Sequence, residues 1–249
     1  MRFAKFAVLF VVSAMAVPTL WTIIVVLQPG PGRYLFFQRQ LLPDYAQRSH
    51  YHEQDAQAGC MRSCIVFLGD SITEFWDLRT SFPHRAFVNR GIRGQTTGQM
   101  LLRFQQDVVD LNPSVVVING GVNDLNTGLG PNDLKAIEEN YKSIAELSLA
   151  NKIRPVFATV LPINPGVRHL GQLTKPDKNS AIKTLDDWLR AYCIQEHLDL
   201  VDYAPLVSDE NGSLRSDFSS DGLHPNAKGY AIMATALEKL ALDNSSERP

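Results

Sequence analysis

Ile65-Val66-Phe67-Leu68-Gly69-Asp70-Ser71-Ile72-Thr73 is the stretch on which the fold turns. Four consecutive apolar residues closed by a glycine are what a strand buried on both faces requires. Val115 to Ile118 and Val156 to Val160 have the same character, and weaker strands are predicted at Ala86 to Val88 and Leu200 to Val201. Helical spacing fills the intervals. Met100, Leu101, Phe104, Val108 and Leu111 form one stripe, and a second helix is predicted near Leu134 to Leu149. Ile182, Leu185, Leu189, Tyr192 and Cys193 form a third stripe, and Tyr230, Met233, Ala234, Leu237 and Leu240 a fourth. Strands alternating with helices imply crossover connections, hence an α/β fold with a parallel sheet covered on both faces. Ligands of such sheets bind beyond the carboxyl ends of the strands. That rule places Gly69 to Thr73, Asn119 to Asp124 and the loop after Val160 on one rim.

Three further segments carry chemistry toward that rim. In Ser220-Asp221-Gly222-Leu223-His224-Pro225-Asn226, three-residue spacing on a turn lets a carboxylate reach one imidazole nitrogen and leaves the other facing outward. A serine hydroxyl needs such a base, and the base needs a partner that fixes its tautomer. Gly120-Gly121-Val122-Asn123-Asp124 follows a buried strand and offers a neutral amide donor on a loop that lets a substrate approach. Asn89-Arg90-Gly91-Ile92-Arg93-Gly94-Gln95-Thr96-Thr97 offers a backbone N–H, with Thr96 or Thr97 as a helix cap. Taken singly, each has a plainer reading. Ser71 or Asp70 is a helix cap, Asp221-Gly222 a turn beside a surface histidine, and Gly120-Gly121 a turn. The serine segment also lacks the second glycine of a Gly-x-Ser-x-Gly elbow.

In this order, the four blocks resemble the SGNH (GDSL-type) hydrolase family over roughly Ile65 to Leu240. The resemblance implies a flavodoxin-like three-layer sandwich with a five-stranded parallel sheet. It implies Ser71 as nucleophile and first oxyanion donor, Gly94 as backbone donor and Asn123 as side-chain donor. His224 is then the base and Asp221 its orienting acid, with Gly91 a lesser candidate for the glycine. It implies an ester hydrolase working through an acyl-enzyme, with no cofactor and no metal. The favoured substrate is a short-chain acyl ester such as an acetyl ester, on a small molecule or carbohydrate. Alternatives are a lysophospholipase or thioesterase of the same family, and an inactive membrane-tethered binding module.

The chain has 249 residues and a formal net charge of -2, with no Lys/Arg run suited to nucleic acid. Arg2 and Lys5 precede an uncharged run from Phe6 to Leu27. At about 1.5 Å per residue this run is long enough to cross a hydrocarbon core of roughly 30 Å. The sequence therefore predicts an N-terminal transmembrane helix or signal segment over residues 1–29. With an uncleaved anchor the catalytic domain faces outward; with cleavage the protein is secreted. A linker is expected over 30–59, the hydrolase domain over 60–243 and a disordered tail over 244–249. His50 and His52 have metal-ligand spacing but no companion ligands, and read as solvated. Cys60 and Cys64 are close enough to bridge, although Cys64 also suits a buried thiol; Cys193 reads as core. In the loop Leu161 to Lys178, Arg168 and His169 are candidate substrate contacts. Phe75 and Trp76 either line an acyl or sugar site or belong to the core.

A histidine base predicts that turnover falls on acidification, because the protonated ring cannot accept the serine proton. A rate that stays flat down to about pH 5 would remove His224 from that role.

Overall fold

The computed structural model describes residues 44–52, 64–126, 134–167 and 178–243. The chain divides into Met1–Tyr45 and Ala46–Pro249, and the sheet belongs to the second unit. Its strands are β1 (Ile65–Gly69), β2 (Phe87–Gly91), β3 (Val115–Asn119), β4 (Arg154–Ala158) and β5 (Asp199–Val201). They run parallel in the order β2-β1-β3-β4-β5, the flavodoxin-like order. In register, Gly69 at the end of β1 lies between Gly91 of β2 and Asn119 of β3.

Two short helices, α1 (Ser71–Glu74) and α2 (Leu78–Ser81), follow β1, and α3 (Thr97–Leu102) and α4 (Phe104–Asp107) follow β2. The longer α5 (Leu134–Ala150) and α6 (Lys178–Gln195) precede β4 and β5; α7 (Ala204–Val207) and α8 (Ala227–Asp243) come last. Because strand side chains alternate between faces, each strand feeds two cores. Val66, Leu68, Val116, Ile118 and Phe157 pack with Met100, Phe104, Tyr141, Ile144, Leu185 and Leu189 on one side. Ile65, Phe67, Val115, Val117 and Val156 pack with Ile72, Trp76, Met233 and Leu237 on the other. That double burial is why these strands read as unbroken apolar runs.

Several boundaries differ from the sequence expectation. β4 starts and ends two residues earlier than its apolar run, and β2 is displaced toward Gly91. The single stripe from Met100 to Leu111 is two short helices and a 3-10 turn. The helix stops at Arg103 (φ -105°, ψ 4°), whose side chain is turned into the interior. Residues 46–52, inside the stretch read as a linker, pack on the domain. Ala46 and Tyr51 are buried, the Ala46 carbonyl accepts from Gln95 Nε2 at 2.7 Å, and the Tyr51 hydroxyl donates to the Gly91 carbonyl. Cys64 is disulfide-bonded rather than a lone buried thiol, whereas Cys193 is a buried free thiol. Cys60, the predicted N-terminal span and the tail lie outside the described residues. Among the described residues no helix is long and apolar enough to cross a membrane.

The loop leaving β4 is gripped by α6 through Asp186, which is 2% exposed and accepts the Val160 N–H at 2.8 Å. Burial pushes its carboxyl from 3.8 up to about 7, with the Val160 N–H and Arg190 opposing and Asp202 assisting. A folded value above the unfolded one means that the fold binds this proton more tightly. Its contribution is full below the unfolded value and is lost as pH rises through about 7. Asp186→Asn keeps an oxygen for Val160 while removing the charge. Its melting temperature should exceed that of the wild type by about 2–4 °C at about pH 8.5, with the gap closing near pH 5. Thermal melts at the two pH values check this, and a gap independent of pH would contradict it.

Candidate active site

The segment that carries Ser71 is shaped by close approach at the end of β1. A Cβ on Gly69 would lie 2.0 Å from Thr73 Oγ1 and 2.7 Å from the Asn119 carbonyl oxygen, so only glycine fits. Asp70 then caps α1, its Oδ1 accepting the Ile72 N–H at 2.9 Å. Ser71 is therefore the first helical residue rather than the cap. Its N–H lies in the opening turn, where no preceding carbonyl can accept it.

The imidazole that meets Ser71 comes from a turn 153 residues later. Ser71 Oγ lies 2.9 Å from His224 Nε2, and His224 Nδ1 lies 2.6 Å from Asp221 Oδ2. With the Nδ1 proton held toward Asp221, Nε2 is left to accept the serine hydroxyl. Asp221 Oδ1 accepts from the N–H groups of Leu223 and His224 at 2.9 and 2.8 Å, and from Ser219 Oγ at 3.2 Å. Partial burial pushes the Asp221 carboxyl up, but the His224 ring and these N–H groups outweigh it and hold it at about 2. It is thus ionised wherever the histidine needs orienting. Gly222 takes φ +78°, and its carbonyl accepts the Asn164 N–H at 2.7 Å, which ties the turn to the loop after β4. Asn226 Oδ1 receives the N–H groups of Lys228 and Gly229 at the start of α8.

Facing this line are the loops that follow β2 and β3. Asn123 Nδ2 donates to the Gln95 carbonyl at 2.9 Å and to Asp70 Oδ2 at 3.3 Å. Gly94, one residue before Gln95, takes φ +71°, a conformation that favours glycine. Gly91 serves differently: it lies within β2, where an added Cβ would come within 2.1 Å of the Glu74 nitrogen. Thr96 is the cap of α3, in a capping box with Gln99. Asp124 accepts both the N–H of Thr97, at 3.1 and 3.0 Å to its two oxygens, and the Thr97 hydroxyl, at 2.6 Å, joining the β3 loop to α3. Burial raises Asp124 to about 6, against the hydrogen bonds from Thr97.

Sequence reading left two neighbours of the site unassigned. Phe75 and Trp76 part company: Trp76 is in the core, stacked on Tyr230 at 5.3 Å, so it does not line a substrate site. Phe75 is 45% exposed and meets the His224 ring edge-on at 5.1 Å. Its place four residues after Ser71 was the available signal. Glu74 reaches the Gly94 loop and had no sequence signal. Arg168 and His169 lie outside the described residues. His50 and His52 are exposed, and no group of three or more metal-ligating side chains occurs among the described residues.

A flavodoxin-like sheet with a serine, imidazole and carboxylate in one hydrogen-bonded line at the carboxyl ends of its central strands defines a class of α/β hydrolases. Residues 67–232 match the GDSL-like Lipase/Acylhydrolase family, and the chain belongs to that family. It is 33% identical to a GDSL-like lipase from Bacteroides thetaiotaomicron VPI-5482, with a TM-score of 0.72 over 78% of this chain and 97% of that one. Over 196 residues it is 26% identical to the N-acylneuraminate cytidylyltransferase of Streptococcus agalactiae serotype III (strain NEM316). That match takes in 77% of this chain but only 41% of the cytidylyltransferase. It is also 38% identical over 121 residues to the uncharacterized lipoprotein YqeF of Bacillus subtilis (strain 168), covering 41% of this chain and 50% of that one.

Asn123→Ala should lower kcat on p-nitrophenyl acetate by about 10²–10³-fold, the usual cost of losing one donor to a developing oxyanion. Steady-state kinetics on the folded variant check this, and a loss below about threefold would exclude Asn123 as a donor.

Proposed function

We propose that the chain is a serine ester hydrolase that removes a short acyl group, acetyl foremost, from a small-molecule or carbohydrate ester through an acyl-enzyme. The observation that carries this reading is the continuous line from Ser71 Oγ through His224 to Asp221, at 2.9 and 2.6 Å. Ser71 Oγ attacks the ester carbonyl carbon while His224 Nε2 takes its proton. The carbonyl oxygen, now negative, is received by the N–H groups of Ser71 and Gly94 and by the Asn123 amide. One Asn123 hydrogen stays on the Gln95 carbonyl. The other, on the longer 3.3 Å contact to Asp70, is the one shared with the oxyanion. His224 gives its proton to the departing alkoxide, leaving the acyl group on Ser71. Water, deprotonated by the same histidine, then attacks the acyl-enzyme and releases the acid.

The family membership supports acyl hydrolysis. The uncharged run from Phe6 to Leu27 supports a membrane tether with the catalytic domain facing outward.

The test is hydrolysis of p-nitrophenyl acetate, butyrate and octanoate by the wild type and Ser71→Ala. Acetate should be the best substrate and the mutant should be inactive, a fall of at least about 10³-fold in kcat/KM. A preference for octanoate would replace the short-acyl reading with a lipid hydrolase. Absence of turnover, with no labelling by a serine-reactive phosphonate, would leave a binding module.

A further inference from the structure

We propose that Glu74 is a positioning residue of the oxyanion hole, pinning the loop that carries Gly94 to the helix that carries Ser71. The inference rests on the ester-hydrolase reading, in which the N–H groups of Ser71 and Gly94 converge on one oxygen. Glu74 ends α1, three residues after Ser71. Its Oε2 accepts the backbone N–H of Arg93 at 2.5 Å. The Arg93 guanidinium donates to the same carboxylate through Nε at 3.1 and 3.2 Å, to its two oxygens, and through a terminal nitrogen at 2.9 Å.

The backbone bond is the one that matters for the hole. Arg93 immediately precedes Gly94, and Gly94 has no side chain to hold its φ of +71°. Fixing the Arg93 N–H holds the Ile92–Arg93 peptide unit, the one immediately before the unit that bears the Gly94 N–H, and so anchors the entry to that turn. The rest of the turn is held by Ile92 N–H on the Gly69 carbonyl at 3.0 Å and Gln95 N–H on the Ile92 carbonyl at 3.2 Å. Its Gln95 carbonyl in turn holds Asn123. A shift of this one turn moves two of the three donors. The guanidinium, by contrast, is a solvent-facing partner: the Arg93 side chain is 64% exposed and that of Glu74 18%. A contact of that kind contributes little stability. The carboxylate position has consequences mainly through the N–H it accepts.

The full-length chain would be compared as wild type, Glu74→Gln, Glu74→Asp and Glu74→Ala. The readouts are kcat and KM on p-nitrophenyl acetate and hydrogen exchange at residues 92–95. Gln retains an oxygen at the same reach and should keep kcat within about threefold of wild type. Asp is one methylene short and Ala has no acceptor. Both should lose about 10- to 100-fold in kcat with KM little changed, and exchange at Arg93 should quicken. If Glu74→Ala fails to fold, the contrast between Asp and Gln decides. A folded Ala or Asp variant with kcat within threefold of wild type would overturn the proposal. So would a Gln variant as impaired as Ala, since charge and not the N–H bond would then be operative. Should the wild type hydrolyse no ester, the functional reading falls. Exchange at Arg93 then decides alone whether Glu74 holds the turn.

Discussion

Behind the site a guanidinium is buried completely, and three separate segments take their positions from it. Arg103 is 0% exposed. It donates from Nε to Gln95 Oε1 at 2.6 Å, and from its terminal nitrogens to Asp107 Oδ2 at 2.6 Å and the Gly69 carbonyl at 3.0 Å. Gly69 is the last residue of β1 before the nucleophile turn, and Gln95 belongs to the turn after β2. One cation therefore ties the strand end that precedes Ser71 to the turn that carries Gly94 and Gln95. Burying a charge costs several kcal/mol, and the Asp107 carboxylate with two neutral acceptors offsets it. Removing one partner of such a buried pair costs about 3–5 kcal/mol, so the arrangement is rigid once made. The same demand accounts for the end of α3 at Arg103: the side chain that must reach inward sits where the helix gives way.

The sheet topology does the rest of the gathering. In a β2-β1-β3-β4-β5 sheet the connections leave β1 and β3 toward opposite sides, and a crevice opens between their ends. Ser71 follows β1 and Asn123 follows β3, so nucleophile and amide donor meet there although 52 residues separate them (123 minus 71). The histidine turn has no strand to deliver it. It is fastened instead by the Asn164 N–H on the Gly222 carbonyl and by the Tyr230 hydroxyl on the Ile72 carbonyl at 2.8 Å. That second bond ties α8 to the helix that carries Ser71.

What could be read from the sequence follows from these constraints. β1 and β3 are buried throughout and give unbroken apolar runs. β2 is half-buried over Phe87 to Asn89 and β5 has only three residues, so both gave faint signals. The stripe through Met100, Phe104, Val108 and Leu111 is a true burial pattern. It carries no information about the break at Arg103, because turns of different pitch kept the same residues inward. Four short motifs, with their order, pointed to Ser71, His224 and Asp221, which form one hydrogen-bonded line, and to Asn123, which bonds the residue after Gly94. The supports were not legible, because a contact such as Glu74 to Arg93 spans 19 residues of chain without any periodicity. Phe75 and Trp76 are adjacent, and only the turn of α1 decides which faces the imidazole and which the core. The sequence raises a bridge for Cys64 without deciding it, since a strand-leading cysteine suits either fate.

The carboxyl of Asp70 raises a question of charge, because in the proposed reaction it sits beside a developing oxyanion. A full negative charge there would oppose the transition state. Asp70 is 0% exposed, and burial pushes it from 3.8 up to about 7. The Ile72 N–H opposes that rise, Asp124 adds to it and Lys178 opposes it. Lys178 is itself buried, and burial lowers it to about 8, with Asp70 the charge that raises it. Its Nζ has no hydrogen-bond partner among the described residues. An acid poised near neutrality can keep an oxygen toward the Asn123 amide without committing a whole charge to the site. As negative charge builds on the substrate oxygen, Coulomb repulsion favours the protonated form of Asp70 further. The carboxyl that accepts the Asn123 amide in the resting site therefore opposes the oxyanion less than a solvated carboxylate at the same place would.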